Sequence, residues 1–596
     1  MPTYRAPIKD TLFVLEAVAG LYNHGNVPGF ASMAPDLVEA VITEGGKFCS
    51  EVLAPLNLPG DRQGCIRHAD GSVTTPDGFK AAYKAFCDGG WGGLIADEHH
   101  GGQGLPYVIG AVLQEFLAAS NMAFGMYPGL SEGAQAAIEV VGTPEQKAKW
   151  LPPMVQGRWT GTMNLTEPHC GTDLGLIRTR AEPNGDGAWA ITGTKIFISA
   201  GEHDLAENIV HLVLAKTPGA PDSVKGISLF IVPKFMVSND GSLGARNAVS
   251  CGSIEHKMGI HANATCVMNY DGATGYLLGE ENKGLAAMFI MMNAARLGVG
   301  IQGLAQADAA YQNAVEYARG RLQGRSLTGA KNPQGKADPI IVHPDVRRML
   351  MDARAYTEGM RALMLWSAIR VDLSRKAPDT ADREMADDLI SLLTPVIKGY
   401  GTDRGYEVAT NCQQVLGGHG YIAEWGMDQF VRDARIAMIY EGTNGIQALD
   451  LVGRKLGAKG GRGTQAWLAL VGADLAAASD ERLAFIAAPL GKALGDVQAG
   501  IMWLLQHGMA NPDHAGAGAT AFMRMMGHVA LGHMWLKMAG ASLAALDAGA
   551  ADLDFFTAKL ATARFFAARV LPETIGLKAQ LEAGAETVMA LPAEMF

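Results

Sequence analysis

The sequence predicts an α+β multidomain protein: an N-terminal helical domain, a central β-domain, a C-terminal four-helix bundle and an extra C-terminal helical module. Three observations carry this. The chain has 596 residues, and domains run to about 150 residues each, so one core cannot hold it. Its apolar period is helical at both ends but switches to short strand-like runs between about residues 160 and 282. A glycine-rich stretch, 457–463, then sets off a last helical block. The expected domains are 1–158, 159–283, 284–456 and 464–596.

Residues 1–158 read as helices broken by glycine. One ends at Lys147-Ala-Lys-Trp-Leu-Pro152-Pro153, because tandem prolines cannot continue a helix. In the β-domain, the runs 189–191, 209–214 and 227–232 are strand-like. Turn formers separate them: Pro183-Asn-Gly-Asp-Gly187, Pro218-Gly-Ala-Pro221 and Asn239-Asp-Gly241. After Gly284 the helical period returns. Leu297, Ile301, Leu304, Tyr311, Val315 and Ala318 recur at spacings of four, three, seven, four and three. Val346 to Met364 and Leu389 to Ile397 repeat similarly, and a fourth helix is expected around 403–416. Residues 326–344, with Gly329, Pro333, Gly335, Pro339 and Pro344, form a long loop, which is uncommon without a function. In the last module, Leu490 to Leu504 and Phe556 to Val570 are amphipathic.

Hydrophobic residues make up 48% of the chain and charged ones 18%, a globular composition. The net charge of −11 disfavours nucleic acid or an anionic membrane as main partner. Seven cysteines without a C-x-x-C pair argue for reduced thiols and against a zinc site, so no metal is expected. Arg5, Lys9 and Asp10 interrupt the N-terminus before an apolar run forms, unlike a signal peptide. No stretch is read as reaching the roughly 20 apolar residues of a membrane span, so no integral membrane segment is expected. The expectation is a soluble, cytoplasmic protein.

The most informative run is Arg435-Ile-Ala-Met-Ile-Tyr-Glu441-Gly-Thr-Asn-Gly445. Glu441 lies between apolar neighbours (Ile436, Met438, Ile439, Tyr440) and a glycine turn. Such flanking strips hydration from a carboxylate and raises its pKa, which suits a general base. The other reading is a partly buried Glu that caps a helix starting near Thr443.

Four segments together resemble the acyl-CoA dehydrogenase family over roughly residues 40–455. They are Met163-Asn-Leu-Thr-Glu-Pro-His-Cys-Gly171-Thr-Asp173, Lys195-Ile-Phe-Ile-Ser199-Ala-Gly201, Gln414-Val-Leu-Gly-Gly418-His-Gly-Tyr421 and Tyr440-Glu-Gly-Thr443. The resemblance implies an FAD-dependent desaturation of an acyl-CoA thioester to the trans-2-enoyl-CoA. Glu441 would take the α-proton while the β-hydrogen leaves as hydride to flavin N5. It implies cofactor contacts at Met163, Leu165, Thr166, Gly171, Thr172, Phe197, Ser199, Arg321, Gln323, Gln414, Gly417, Gly418, Thr443 and Gly445. Substrate contacts would fall at Thr172, Arg296, Tyr440 and Gly442. Gln414, Gly417 and Gly418 would reach FAD across a subunit interface, implying a homo-oligomer (a dimer or dimer of dimers), and an electron transfer flavoprotein would accept the electrons.

Two features depart from the common pattern. Gly324 stands where the family usually has an aromatic before glycine, and the 326–344 loop and the last module are extra. They resemble a longer subgroup that includes 3-(methylthio)propanoyl-CoA dehydrogenases. The substrate is accordingly expected to be that thioester or a short or medium straight-chain acyl-CoA. Rival readings are an acyl-CoA oxidase and a DNA-associated flavoprotein of the same superfamily. The last module has ten Lys and Arg against twelve Asp and Glu over 457–596, which argues against DNA. The methionines from Met288 to Met292 read as core packing rather than a substrate box.

Overall fold

The computed structural model describes residues 2–185, 187–238 and 240–596. Asp186 and Asn239, each in a turn expected from the sequence, lie outside the described residues. The chain divides into two compact units: one contains residues 1–46, 106–115 and 299–596, the other residues 47–105 and 116–298.

The second unit holds a seven-stranded sheet: β1 (Trp159–Asn164), β2 (Arg180–Pro183), β3 (Trp189–Ser199), β4 (Asn208–Lys216), β5 (Ile227–Pro233), β6 (Val249–Ile254) and β7 (Thr265–Leu277). Their order is β6-β7-β3-β2-β4-β1, and β5 pairs with both β4 and β7. The three expected strands are β3, β4 and β5. The others were missed because their sequences mix polar residues and glycine: β1 reads WTGTMN, and Asn269, Asp271, Gly272 and Gly275 interrupt β7. β4 is buried on both faces, as its nearly continuous apolar run requires. Leu212 and Leu214 pack with Trp150, Met154, Met288 and Met291, while Val213 and Ala215 pack with Phe230 and Tyr270. The methionines are core residues, as expected.

The helix Pro144–Val155 runs through Pro152 and Pro153 rather than stopping before them. Proline's φ suits a helix, and although each proline forfeits its N–H bond and crowds the carbonyl four residues back, the last turn persists, with Gln156 N bonded back to Pro152 O (3.1 Å).

In the first unit, three long helices make the frame: Gly284–Gly320 from Val299 onward, Pro344–Lys376 and Thr380–Val415. Residues 403–416 are not a fourth helix but the second half of Thr380–Val415. Shorter helices Met427–Ala437 and Asn444–Asp450 follow. The period continues through Gly399, Gly401 and Gly405 because these glycines bring two helices into close contact. A Cβ on Gly405 would stand 2.3 Å from Gly303 O, and one on Gly303 would stand 2.9 Å from Thr402 Cα. The 457–463 stretch is pinned: Lys459 pairs with Asp387 (3.0 Å) and Asp388 (2.7 Å), and Arg462 with Asp388 and Glu384. The expected helices of the last module are Ala484–Trp503 and Leu553–Arg569. Its longest helix, Pro512–Asp547, was not singled out because alanine, glycine and methionine blur its faces.

A buried charge network joins distant parts of this unit. Lys559 pairs with Asp10 and with Glu358 (2.9 Å); Arg361 pairs with Asp10, Glu115 (2.7 Å) and Asp308 (3.3 Å). Burial lifts the Glu115 carboxyl to about 7 against the pull of Arg361.

One expectation is corrected here. Three helices are long and apolar enough to cross a membrane: Tyr107–Val141, Gly284–Gly320 and Pro512–Asp547. Reading for uninterrupted apolar runs overlooks alanine- and glycine-rich helices that carry an occasional polar residue. Within their most apolar windows, 89%, 44% and 67% respectively are buried inside the protein, so core packing accounts for much of that composition.

Candidate active site

In the second unit, β1 leads into the Thr166 loop. Its anchor is Glu167, which the sequence reading did not single out. Glu167 pairs with the buried Lys195 (2.8 Å) and accepts from Arg178 N (2.7 Å), Thr179 N (3.0 Å) and Thr179 Oγ1 (2.6 Å). Burial works to raise its pKa, but Lys195 and these donors outweigh it and hold the carboxyl below its usual range. Lys195 Nζ also donates to Leu165 O (3.0 Å), and Ile196 N to Thr166 O (2.9 Å). The structure thereby brings the first two predicted segments together: Met163, Leu165 and Thr166 beside Phe197 and Ser199. Leu165 packs its side chain in the core, so only its backbone is available to a ligand. Gly171 and Thr172 are exposed on the same loop.

Phe197 is not a strand core residue. Its φ is +59°, its side chain is 60% exposed, and β3 and β7 slip register opposite it, between Cys266 and Met268. A left-handed backbone at a bulky residue costs about 1–3 kcal/mol and is typical of functional positions. Behind the loop, Tyr270 OH donates to Asn164 Oδ1 (2.8 Å), and Asn164 Nδ2 donates to Thr162 Oγ1 (2.8 Å), which meets His211 Nδ1 at 2.7 Å. The alternating Thr160-Gly-Thr162-Met-Asn164 was the available signal for this buried polar ladder.

Glu167, His169 and Cys170 put one potential metal-ligand atom each within 4.8 Å of one another. Lys195 already neutralises Glu167, and burial raises the Cys170 thiol pKa, so the trio is explained without a metal. Arg296 shares the second unit. Among the described residues it has no carboxylate partner. Its guanidinium lies 6.0 Å from the Phe289 ring.

In the first unit, Glu441 sits at φ +57° and Gly442 at +82°, an abrupt left-handed turn after the helix Met427–Ala437. The apolar wall is partial: Ile439 is 46% exposed, and Glu441 itself is partly buried. Thr443 caps the next helix, its Oγ1 accepting from Ile446 N (3.4 Å). The turn is held by side chains the sequence reading missed. Lys398, fully buried, donates to Gly442 O (2.7 Å) and Asn444 Oδ1 (2.8 Å). Gln447 Nε2 donates to Glu441 O (3.0 Å), and a Cβ on Gly442 would meet that nitrogen at 2.8 Å. Asn444 Nδ2 donates to Asp403 Oδ1 (2.6 Å), Thr402 Oγ1 (2.9 Å) and Gly399 O (3.1 Å). Tyr440 OH donates to Gln302, and burial, with the Glu441 charge second, raises its pKa. A Lys in an otherwise apolar helix stretch, Pro395-Val-Ile-Lys398-Gly, was the one local hint.

Arg321 and Gln323 are exposed just past the helix end at Gly320. The 326–344 loop that follows is organised by Asp338, which accepts from Ser326 N (2.8 Å), Lys331 N (2.9 Å) and Asn332 N (2.6 Å) and pairs with Arg325 (3.3 Å). Backbone donors, Ser326 N first, hold its pKa at about 2. Gly324 stands at φ +67°, a conformation that an aromatic side chain would strain. Tyr317 OH lies 2.7 Å from His419 Nδ1, which brings the exposed Gln414, Gly417 and Gly418 toward the Arg321 end of the bundle. Glu441 is not in that cluster. Its neighbour Gln302 lies fifteen residues before Tyr317 on the same helix, roughly 22 Å away.

Comparison with known proteins agrees with both halves of this geometry. The chain matches the patterns described as "Acyl-CoA dehydrogenase, N-terminal domain" (46–158), "Acyl-CoA dehydrogenase, middle domain" (162–273), "Acyl-CoA dehydrogenase, C-terminal domain" (282–456) and "Acetyl-CoA dehydrogenase C-terminal like" (467–592). It belongs to the acyl-CoA dehydrogenase family. The 3-methylmercaptopropionyl-CoA dehydrogenase of Ruegeria pomeroyi is 45% identical over 96% of each chain. The broad-specificity linear acyl-CoA dehydrogenase FadE5 of Mycobacterium tuberculosis is 35% identical over 100% of each. The fold matches an acyl-CoA dehydrogenase from Bacillus anthracis solved with FAD, at TM-score 0.73, 21% identity, and 95% of this chain against 90% of that one. The family's members are flavin-dependent oxidoreductases that use FAD.

Proposed function

We propose that this acyl-CoA dehydrogenase desaturates short acyl-CoA thioesters at Cα–Cβ, with 3-(methylthio)propanoyl-CoA among its substrates. The observation that carries the substrate class is the 45% identity across 96% of both chains to the Ruegeria pomeroyi enzyme. The broad-specificity relative supports including unbranched chains. In 3-(methylthio)propanoyl-CoA a sulfur replaces one methylene of pentanoyl-CoA, so the two test whether the thioether is recognised or only its length. Dye-reduction kcat/KM across acyl-CoA lengths, with both compounds included, is the experiment. A preference for chains of eight or more carbons, with no methylthio turnover, would overturn the proposal.

Glu441 is the proposed base. Gln447 and Lys398 hold the carbonyls of Glu441 and Gly442, and Gln302 holds the Tyr440 ring beside the carboxylate. The base therefore works from a fixed Cα, and its proton transfer needs little reorganisation. Tyr440 and Gly442 would meet the acyl thioester, and Thr172 and Arg296 the CoA portion. The residues also fit FAD. Phe197 presents an exposed ring, Thr166 a hydroxyl on a rigid loop, and Met163, Leu165, Gly171, Thr172 and Ser199 line that loop and the adjacent strand. Arg321 and Gln323 suit the pyrophosphate, and Thr443 and Gly445 lie at the turn. Bound FAD supplies the two-electron acceptor for the β-hydrogen.

Among the described residues, nothing beyond their own stretch of chain lies within 4 Å of where a Cβ on Gly417 or Gly418 would stand, and Tyr421 beside them is 87% exposed. This supports Gln414, Gly417 and Gly418 facing the cofactor of a second copy in a homodimer or dimer of dimers, and light scattering tests it. An electron transfer flavoprotein is the proposed acceptor; stoichiometric peroxide release under turnover would instead make the enzyme an oxidase. Seven free cysteines support a reducing, cytoplasmic setting, which fractionation of the native host would check.

A further inference from the structure

The C-terminal module meets the back of the catalytic turn. A Cβ on Gly527, in the helix Pro512–Asp547, would stand 2.2 Å from the Tyr400 ring. One on Gly399 would stand 2.4 Å from Met523 Sδ. Each helix thus offers a glycine to a large side chain of the other, and the seam falls on residues 398–403, the stretch that cradles the Glu441 turn. Polar contacts follow the same line. Arg524 grips Glu407 with both terminal nitrogens (2.8 and 3.2 Å). His528, fully buried, lies 3.1 Å from Tyr400 OH and 3.1 Å from Glu573.

We propose that Arg524 of the C-terminal module is a positioning residue for Glu441, acting through Glu407, Asp403 and Asn444. Asp403 is the acceptor that orients Asn444, and Asn444 and Gly442 share Lys398. Burial raises the Asp403 pKa and the Glu407 charge adds to this, while the Asn444 hydrogen bond, Arg524 and Lys398 oppose it. Glu407 in turn faces Arg404 of its own helix, which pairs with Asp352 (2.7 Å), and Arg524 faces Glu573 (3.7 Å). Removing the Arg524 charge therefore favours protonation of Asp403. A neutral carboxyl is a poorer acceptor for Asn444, and the turn loses its anchor.

The inference rests on Glu441 being the base, so the holoenzyme is tested with E441Q alongside. In R524A, flavin absorbance per chain should stay at wild type. The acid limb of kcat should move up by about one pH unit, the low end for loss of a nearby opposite charge. KM should change little, R524K should restore most of the profile, and on a D403N background R524A should cause no further shift. E407Q, which removes the like charge beside Asp403, should move the limb down. An R524A limb at the wild-type position, or an equal loss at every pH that persists on the D403N background, overturns the proposal. If R524A does not fold, an unmoved limb in E407Q does so. Full turnover in E441Q would overturn the base assignment instead, whereas an inactive E441Q with an unmoved R524A limb overturns the seam alone.

Discussion

Lys398, Asn444 and Gln447 reach the Glu441 turn from two helices, whereas one carboxylate of the loop itself, Asp338, organises residues 326–344. Both segments are irregular backbone. In the first, a buried lysine 44 residues away, Lys398, ties down the carbonyl of Gly442, and Gln447 of the following helix holds that of Glu441. In the second, three N–H groups within twelve residues of Asp338 converge on it. A turn braced from afar moves only when the bundle moves, which suits a group that must meet a proton within a fraction of an ångström. A loop braced from within can open without disturbing the bundle, which suits the admission and retention of a large ligand.

The largest expected effect is in E441Q, which keeps its flavin absorbance and loses about 10⁴ in kcat, the upper end for a general base; retention of wild-type turnover would remove Glu441 from the chemistry. K398M leaves the Gly442 carbonyl without its donor and Asn444 Oδ1 with only the longer bond from Thr402 Oγ1 (3.3 Å), a cost of about 1–3 kcal/mol. Its melting temperature and kcat should both fall, kcat by about a hundredfold with KM nearly constant. A K398M enzyme with normal kcat would show that the distant bracing is irrelevant to catalysis.

D338A tests the other side. It should free the 326–344 loop to limited proteolysis and weaken FAD retention through the adjoining Arg321, while kcat at saturating FAD stays within about threefold. If kcat collapsed instead, the two segments would not be independent. Asp338 also predicts a pH effect. Its folded pKa, about 2, lies below the usual carboxylate value. Its contribution is therefore fully present above about pH 4. It is lost as pH falls from about 4 toward 2, so protease sensitivity of the loop should rise in that window, whereas D338N should be sensitive at every pH and show no such rise. The smallest effect is expected for R321A and Q414A. Each should lower FAD content, and added FAD should raise their melting temperatures more than that of wild type; unchanged FAD content in both would remove them from the cofactor site.

The sequence made the helix–strand–helix order legible because long apolar periods and turn formers are local signals. It made Glu441, Thr166 and Phe197 legible through short runs. It did not reveal Lys398, Asp403, Glu167 or Asp338. Their roles depend on which backbone groups lie opposite them after folding, and spacing along the chain does not encode that. Phe197 shows the same limit from the other side. Its identity suggested a flat apolar face, but only the left-handed backbone and the register slip on β3 turn that face outward. The second half of Thr380–Val415 was misread as a separate helix because its glycines look like breakers until the neighbouring helix is placed against them.

The bond between Lys559 and Asp10 spans 549 residues. At about 5–20 residues per second, a ribosome needs roughly 30–110 s to make that interval. Asp10 can therefore gain its lysine partner only after that interval, and until then its segment holds a carboxylate without it. The other compact unit, residues 47–105 and 116–298, is fully synthesised long before. Birth order and folding order thus differ for this polypeptide: Asp10 is made before residues 47–298 but reaches its final surroundings after they are complete.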